Sequence, residues 1–583
     1  MISIYAPILL LATRSVFSSE SSKAKNVKEP AVPICEANTF TLADVVPGVK
    51  ILSVTTASQK NYSTAGGIYG LPTVQVDDFC QVKISYTHTG SDDKIETEVW
   101  LPSNHGTWNG RYQAAGGGGY LTGLFDELLG PAVNNGYAAS STDGGHDRKN
   151  ANDLTWALKA NGKVNLDILH TAFTSSLAEQ VLFSKKIVEQ FYSEKPRYSY
   201  WVGCSQGGRQ GYMMAQQYPD LLDGILANAP AISLTHIVMG DLWPQIVMKE
   251  AGYWMSGCEF EFFRQQAIEA CDMLDGVSDG VISDPDICDF DPLHVIGKTF
   301  HCDGKDVEVT PVMAKIVQMI QQGPRTPFKK SIWHGFPWTT NLQYVAGTAD
   351  NPAGMRTALP FPISASFFNT LLLEDPSFNV TKLSYADFMA LWAQASYNYG
   401  WLFDSDNPNL NAFKASGGKL LTWHGINDHV IPYGNTVRYR ERVEHIMGGA
   451  HEVDQFYRLF LAPGVNHCHG GVGPVPEDPL NVLVDWVEKN EPPEVVPAST
   501  KNKEGELVTR DLCAWPGKAK YMGLGDAKRA SSWSCAGGTE RPEVEDKFGE
   551  RHREQRPLNS RAGDVLGGLK DRLEGLGLGL KIG

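Results

Sequence analysis

Gly203, Cys204, Ser205, Gln206 and Gly207 form a G-x-S-x-G run, the spacing at which a serine is presented on a sharp turn between a strand and a helix. The glycines leave room for that turn, and the turn lifts the hydroxyl to where a base can take its proton. The backbone amide of Gln206, at the positive end of the helix that follows, can hold an oxyanion; one such donor typically lowers a barrier by about 3–4 kcal/mol. A serine of this kind needs an imidazole as base and a carboxylate to orient it. Asp428, in HGINDHVIPY, and His467, in APGVNHCHGG, follow the serine in the order acid then base, each just past a run that reads as a strand. On position alone His424, His429 and His469 compete with His467, although each also reads as a polar loop residue. The cysteines decide between them. Cys204 immediately precedes the serine and Cys468 immediately follows His467, so a disulfide joining them would hold hydroxyl and imidazole side by side. The segment AAGGGGYL, Ala114 to Leu121, brings bare N–H groups within reach of a ligand and makes Gly118 the candidate second oxyanion donor, the plainer alternative being a structural loop.

Elements able to position these residues are legible around them. From about Leu71 to Val99, VDDFCQVKISYTHT and KIETEVWLP alternate with period two and predict antiparallel strands. HTAFTSSLAEQVLFSKKIVEQFY repeats its apolar residues at helical spacing, YSYWVG reads as a short buried strand, CSQGGRQGYMMAQQYPDLLDG as a glycine turn and helix, and ILANAPA as the next strand. Between about Ile232 and Ser416 the pattern gives way to irregular segments containing Pro and Trp, after which GGKLLTW and FYRLFL restore strands and NVLVDWVEKN a closing helix. Strand and helix alternate, interrupted by an inserted block. No repeat of 20 to 50 residues is present, which excludes a solenoid or propeller.

Bulk properties narrow the class. A chain of 583 residues accommodates two domains or one catalytic domain with a large insertion. A formal net charge of −15 argues against nucleic acid or an anionic membrane as partner, and no run approaches the ~20 apolar residues of a membrane span. The apolar stretch Ile4 to Ala12 followed by small and polar residues resembles a secretory signal over residues 1–19, though without a basic start. Ten cysteines without a C-x-x-C pair fit disulfides in an extracellular protein, and the sequons at Asn61 and Asn379 agree. The charged, Gly- and Leu-rich stretch 541–583 reads as a disordered tail.

Cysteine-serine, then aspartate, then histidine-cysteine is an arrangement that resembles the tannase and feruloyl esterase family. AAGGGGY, STDGGH, GCSQGGRQG, ANAPA, ACDMLDGVSDGVISDP, TWHGINDHVIPY and APGVNHCHGG extend the resemblance over roughly residues 35 to 540. It implies an α/β-hydrolase core, residues 35–231 and 410–540, split by a lid domain over 232–409, and hydrolysis of esters of phenolic acids such as ferulate or gallate, free or linked to plant polysaccharide. Asp272, Asp275 and Asp279 crowd eight residues around glycines, a density of hard oxygen donors that suits Ca²⁺, with a solvated acidic turn as the alternative. The resemblance adds the carbonyls of Val277 and Val281 as ligands, gives the ion a structural role in the lid, and makes Cys271 and Cys288 the staple of that loop. Nearness in sequence suggests Cys35 with Cys80 and Cys513 with Cys535, leaving Cys258 with Cys302. A secreted serine peptidase could use the same three catalytic residues, and a calcium-stabilised binding protein could keep the scaffold without activity. The resemblance leans to the feruloyl branch over tannase.

Overall fold

Phe79–His88 and Ile95–Pro102 pair because one face of each is apolar: Cys80, Val82, Ile84 and Tyr86 drop with Ile95, Val99 and Leu101 onto one helix layer, while Phe79 and Trp100 pack into the core on the opposite face. A computed structural model describes residues 34–64, 73–103 and 106–537; the expected signal segment and tail lie outside the described residues. Nine strands form the main sheet: β1 (Val49–Gln59), β2 (Phe79–His88), β3 (Ile95–Pro102), β4 (Arg111–Ala115), β5 (Ala138–Thr142), β6 (Tyr198–Cys204), β7 (Gly224–Asn228), β8 (Lys419–Gly425) and β9 (Tyr457–Ala462). Their order is β1-β2-β3-β5-β4-β6-β7-β8-β9, antiparallel from β1 to β5 and parallel from β5 to β9.

Both faces of the sheet are covered, as parallel strands require. Trp201 of β6 points into a core shared with α2 (Ser176–Tyr192) and α3 (Gln206–Gln217). Its neighbour Tyr200 points the opposite way, toward the helix Pro479–Lys489. The helix expected to start at His170 begins earlier, as α1 (Leu166–His170), and passes through a π turn at Thr171–Ser175 before α2. That irregularity frees main-chain carbonyls at Ala172 and Phe173, which accept hydrogen bonds from the Thr122 hydroxyl (3.0 Å) and the Arg209 guanidinium (2.8 Å).

The chain leaves the sheet after Asn228 and rejoins it at Lys419. The intervening residues build their own apolar core from helices such as Leu234–Gly240, Trp243–Ala251 and Tyr385–Phe403. This core also includes Tyr120 and Leu154 from loops beside the sheet, Phe173 from the π turn and Ile431 from the loop after β8. Five disulfides join Cys35 to Cys80, Cys204 to Cys468, Cys258 to Cys302, Cys271 to Cys288 and Cys513 to Cys535.

Candidate active site

The end of β6 delivers Ser205 with φ 63° and ψ −121°, a left-handed backbone that a non-glycine residue adopts at a cost of about 1–3 kcal/mol. Close packing enforces it. A Cβ on Gly203 would lie 2.4 Å from the Gly207 carbonyl carbon, and one on Gly208 would lie 2.5 Å from the Asn228 oxygen, so only glycine lets the strand, turn and helix meet this closely. The Ser205 N–H donates to Asn228 (3.0 Å), and the Ser205 carbonyl accepts from Arg209 and Ala231. Gln206 is the first residue of α3, where no carbonyl four residues earlier belongs to the helix, and its amide sits beside the serine.

The glycine loop after β4 is pinned to the same helix. Gln210 accepts from Gly117 N (2.9 Å) and donates to the Thr122 carbonyl (2.9 Å), while Gly207 N donates to the Gly117 carbonyl (3.0 Å). Gly118 is buried in this loop, and its carbonyl accepts from Leu121 N (3.0 Å). Gln210 was not singled out by sequence reasoning; its place one turn beyond the serine on α3 was the available signal.

The loop after β8 supplies the candidate acid. Asp428 is fully buried and accepts four hydrogen bonds: its Oδ1 from Val430 N (2.9 Å) and Ile431 N (2.8 Å), its Oδ2 from His467 Nδ1 (2.7 Å) and His424 Nε2 (3.1 Å). Burial alone would raise this carboxyl, but the imidazole of His467 and the hydrogen bonds from both histidines outweigh burial and hold it far below the usual carboxylate range. With Nδ1 committed to Asp428, His467 has Nε2 left over. The disulfide from Cys468 to Cys204, Cα atoms 6.0 Å apart, brings the flanking His467 and Ser205 into one place.

Of the competing histidines, His424 is no loop residue. It belongs to β8, is completely buried, and places Nε2 3.0 Å from the Ile431 carbonyl as well as on Asp428. Two acceptors at one nitrogen require Nε2 to carry the proton, and Nδ1 then accepts from the Thr436 hydroxyl (2.8 Å). His424 thus helps orient the acid. His429 lies beside His467, ring centroids 6.4 Å apart, and burial pushes its imidazole down to about 4. His469 is exposed.

In the aspartate loop, Gly276 and Gly280 take φ of 96° and 79° and fold the segment back on itself. Asp272, Asp275 and Asp279 each accept a backbone N–H within the loop, from Gly280, Val277 and Val281. Their second oxygens accept from Ser278 Oγ, Ser283 Oγ and Arg510, the last at 2.7 Å. The donor chemistry is that of a hard cation, with hydroxyls that can rotate aside; the Arg510 guanidinium is a rival for Asp279. Among the described residues these three carboxylates do not converge within 4.8 Å of one another.

A nine-stranded mixed sheet with a serine elbow at one strand end, and with acid and imidazole in the loops after two later strands, defines an α/β hydrolase. The family model described as tannase and feruloyl esterase matches residues 80–536. A probable feruloyl esterase of Arthroderma benhamiae is 41% identical over 497 residues, 84% of this chain and 92% of that one. Feruloyl esterase B of Aspergillus niger is 27% identical over 92% of this chain and 99% of its own. The solved tannin acyl hydrolase from Aspergillus niger superposes with a TM-score of 0.79 at 26% identity, covering 86% of this chain and 94% of the other. The chain belongs to the tannase and feruloyl esterase family and is a carboxylic ester hydrolase.

Proposed function

We propose that the protein is a secreted serine esterase that releases hydroxycinnamate-type acids from phenolic esters, with Ser205 as nucleophile, His467 as base and Asp428 as orienting acid. The observation that carries the assignment is the covalent bridge beside Ser205 and His467, together with the 2.7 Å contact from His467 Nδ1 to Asp428. His467 Nε2 takes the Ser205 proton as Oγ bonds to the ester carbonyl carbon. The carbonyl oxygen gains negative charge and is held by the Gln206 and Gly118 amides. His467 returns the proton to the departing alkoxide as the C–O bond breaks. Water, deprotonated by the same imidazole, then splits the acyl-serine and releases the acid.

The feruloyl reading rests on the 41% identical relative. The superposition on a tannin acyl hydrolase favours galloyl esters as the second reading. Ca²⁺ in the Asp272–Val281 loop would act structurally, the three carboxylates turning from their present hydrogen bonds to meet the ion together with the carbonyls of Val277 and Val281. Five disulfides support export, as do exposed Asn61 and Asn379 as glycan acceptors; among the described residues no helix is long and apolar enough to cross a membrane. Hydrolysis of methyl ferulate and methyl gallate by wild type and Ser205→Ala tests the reading. Ferulate cleavage that falls at least about a thousandfold in the variant supports it. Gallate preference moves the substrate to the tannase branch, and full activity in the variant removes Ser205 from the mechanism.

A further inference from the structure

Asp241 closes the first helix of the inserted block, Leu234–Gly240, eleven residues after Pro230 brings the chain past the serine elbow. It is 1% exposed, and neither carboxyl oxygen has a hydrogen-bond partner. A buried carboxyl without partners is costly, and a native structure keeps one only with a reason. Its chain neighbours Val238 and Leu242 and the nearby Tyr120 belong to one buried apolar core, and the Trp333 indole packs against the adjacent Gly240, where an added Cβ would come within 2.8 Å of the ring. Trp333 Nε1 is likewise buried without a partner. The carboxyl lies within electrostatic reach of two parts of the site, the Asp428 carboxylate and the Tyr120 hydroxyl of the glycine loop.

We infer that Asp241 is a specificity residue of the acyl pocket, donating to and accepting from a hydroxyl on the aromatic ring of the acid. This rests on the esterase reading above and adds to it the group that distinguishes a hydroxylated ring from a bare one. A hydroxyl both donates and accepts, and so does a neutral carboxylic acid, so the two satisfy each other without burying a charge. Burial, reinforced by the negative charge of Asp428, drives Asp241 toward that neutral form. An apolar ester finds the same oxygens unsatisfied and is penalised, the asymmetry by which a hydrogen-bonding pocket rejects an analogue lacking one hydroxyl.

Methyl p-coumarate and methyl cinnamate differ by that single hydroxyl and are the probes. Wild type should show kcat/KM higher for p-coumarate by about tenfold to a hundredfold. Asp241→Leu should erase the preference by lowering p-coumarate turnover while leaving cinnamate within about twofold or improved. Asp241→Asn, which keeps one donor and one acceptor, should retain most of it. Equal loss on both esters in Asp241→Leu makes the residue structural and overturns the inference. If that variant does not fold, the wild-type comparison still decides, because equal kcat/KM on the two esters overturns the inference while leaving the esterase reading intact. Turnover of neither ester by wild type would instead defeat the esterase reading.

Discussion

Replacing both Cys204 and Cys468 by alanine removes the bridge without leaving a lone thiol, and its cost can be worked from the chain. The bond closes a loop of 264 residues, for which the chain-entropy model gives a ceiling of about 5–6 kcal/mol. The true loss lies below that ceiling, because the loops are also tied by Asn427 N to the Val465 carbonyl and Ser205 N to the Asn228 carbonyl, both 3.0 Å. A chain of this size melts with an entropy of about 1 kcal/mol per kelvin, so the midpoint should fall by up to about 5 °C. Catalysis should suffer more than stability. His467 remains on Asp428, but nothing covalent holds it to the serine, and a displacement near 1 Å costs about a hundredfold. Thermal melting and separate kcat and KM values on methyl ferulate are the assay, with kcat expected to drop tenfold to a hundredfold at nearly constant KM. A double variant with wild-type kcat and a midpoint within one degree or so would show that the bridge positions nothing.

Asp428→Asn should lower kcat by about 10³–10⁴ with the fold intact, since an amide N–H₂ would face His467 Nδ1–H and His424 Nε2–H and push His467 into the wrong tautomer; steady-state kinetics beside circular dichroism decide it. Away from the site, His88 bridges Asp93 (2.6 Å) and Glu179 (2.9 Å), and the hydrogen bond to Glu179, followed by that to Asp93, overcomes burial to raise the imidazole to about 9. A raised folded-state value stabilises fully below the unfolded value near 6.5 and is lost as pH rises through about 9. The melting difference between wild type and His88→Gln should therefore shrink between pH 6.5 and 10, and a constant difference contradicts the assignment. If the Asp272–Val281 loop holds Ca²⁺ structurally, a chelator should lower the melting midpoint without changing kcat at 25 °C; an unmoved midpoint argues for an acidic turn kept by its own hydrogen bonds and Arg510.

What was readable in the sequence follows from how local each signal is. The elbow and its flanking strand and helix are contiguous, so pattern and motif suffice there. β1 escapes the pattern because Val49–Gln59 lies at the sheet edge, one face exposed and the other only partly buried, and a register shift between Ile51 and Ser53 breaks its alternation. His424 reads as a loop side chain because HGIND does not reveal that β8 continues to Gly425, nor that Thr436 comes round to meet the ring. Gln210 acts across the sheet on a loop ninety residues away, which no window of sequence contains.

The insert is a structural part of the site, and Arg209 makes this concrete. Its guanidinium is fully buried on α3, one turn past Ser205; Nε donates to Gln206 Oε1 (2.7 Å), NH2 to the Phe173 carbonyl (2.8 Å) and NH1 to the Phe403 carbonyl (3.3 Å). Phe403 ends the last long helix of the insert, and the adjacent Asp404 accepts from Thr235 in its first helix while its charge offsets the penalty that burial imposes on the guanidinium. One buried cation therefore holds together the residue beside Ser205, the π turn and both ends of the insert. Excising residues 232–409 would expose Tyr120, Phe173 and Ile431 and leave Arg209 without its counter-charge, so the sheet would not keep its elbow in shape.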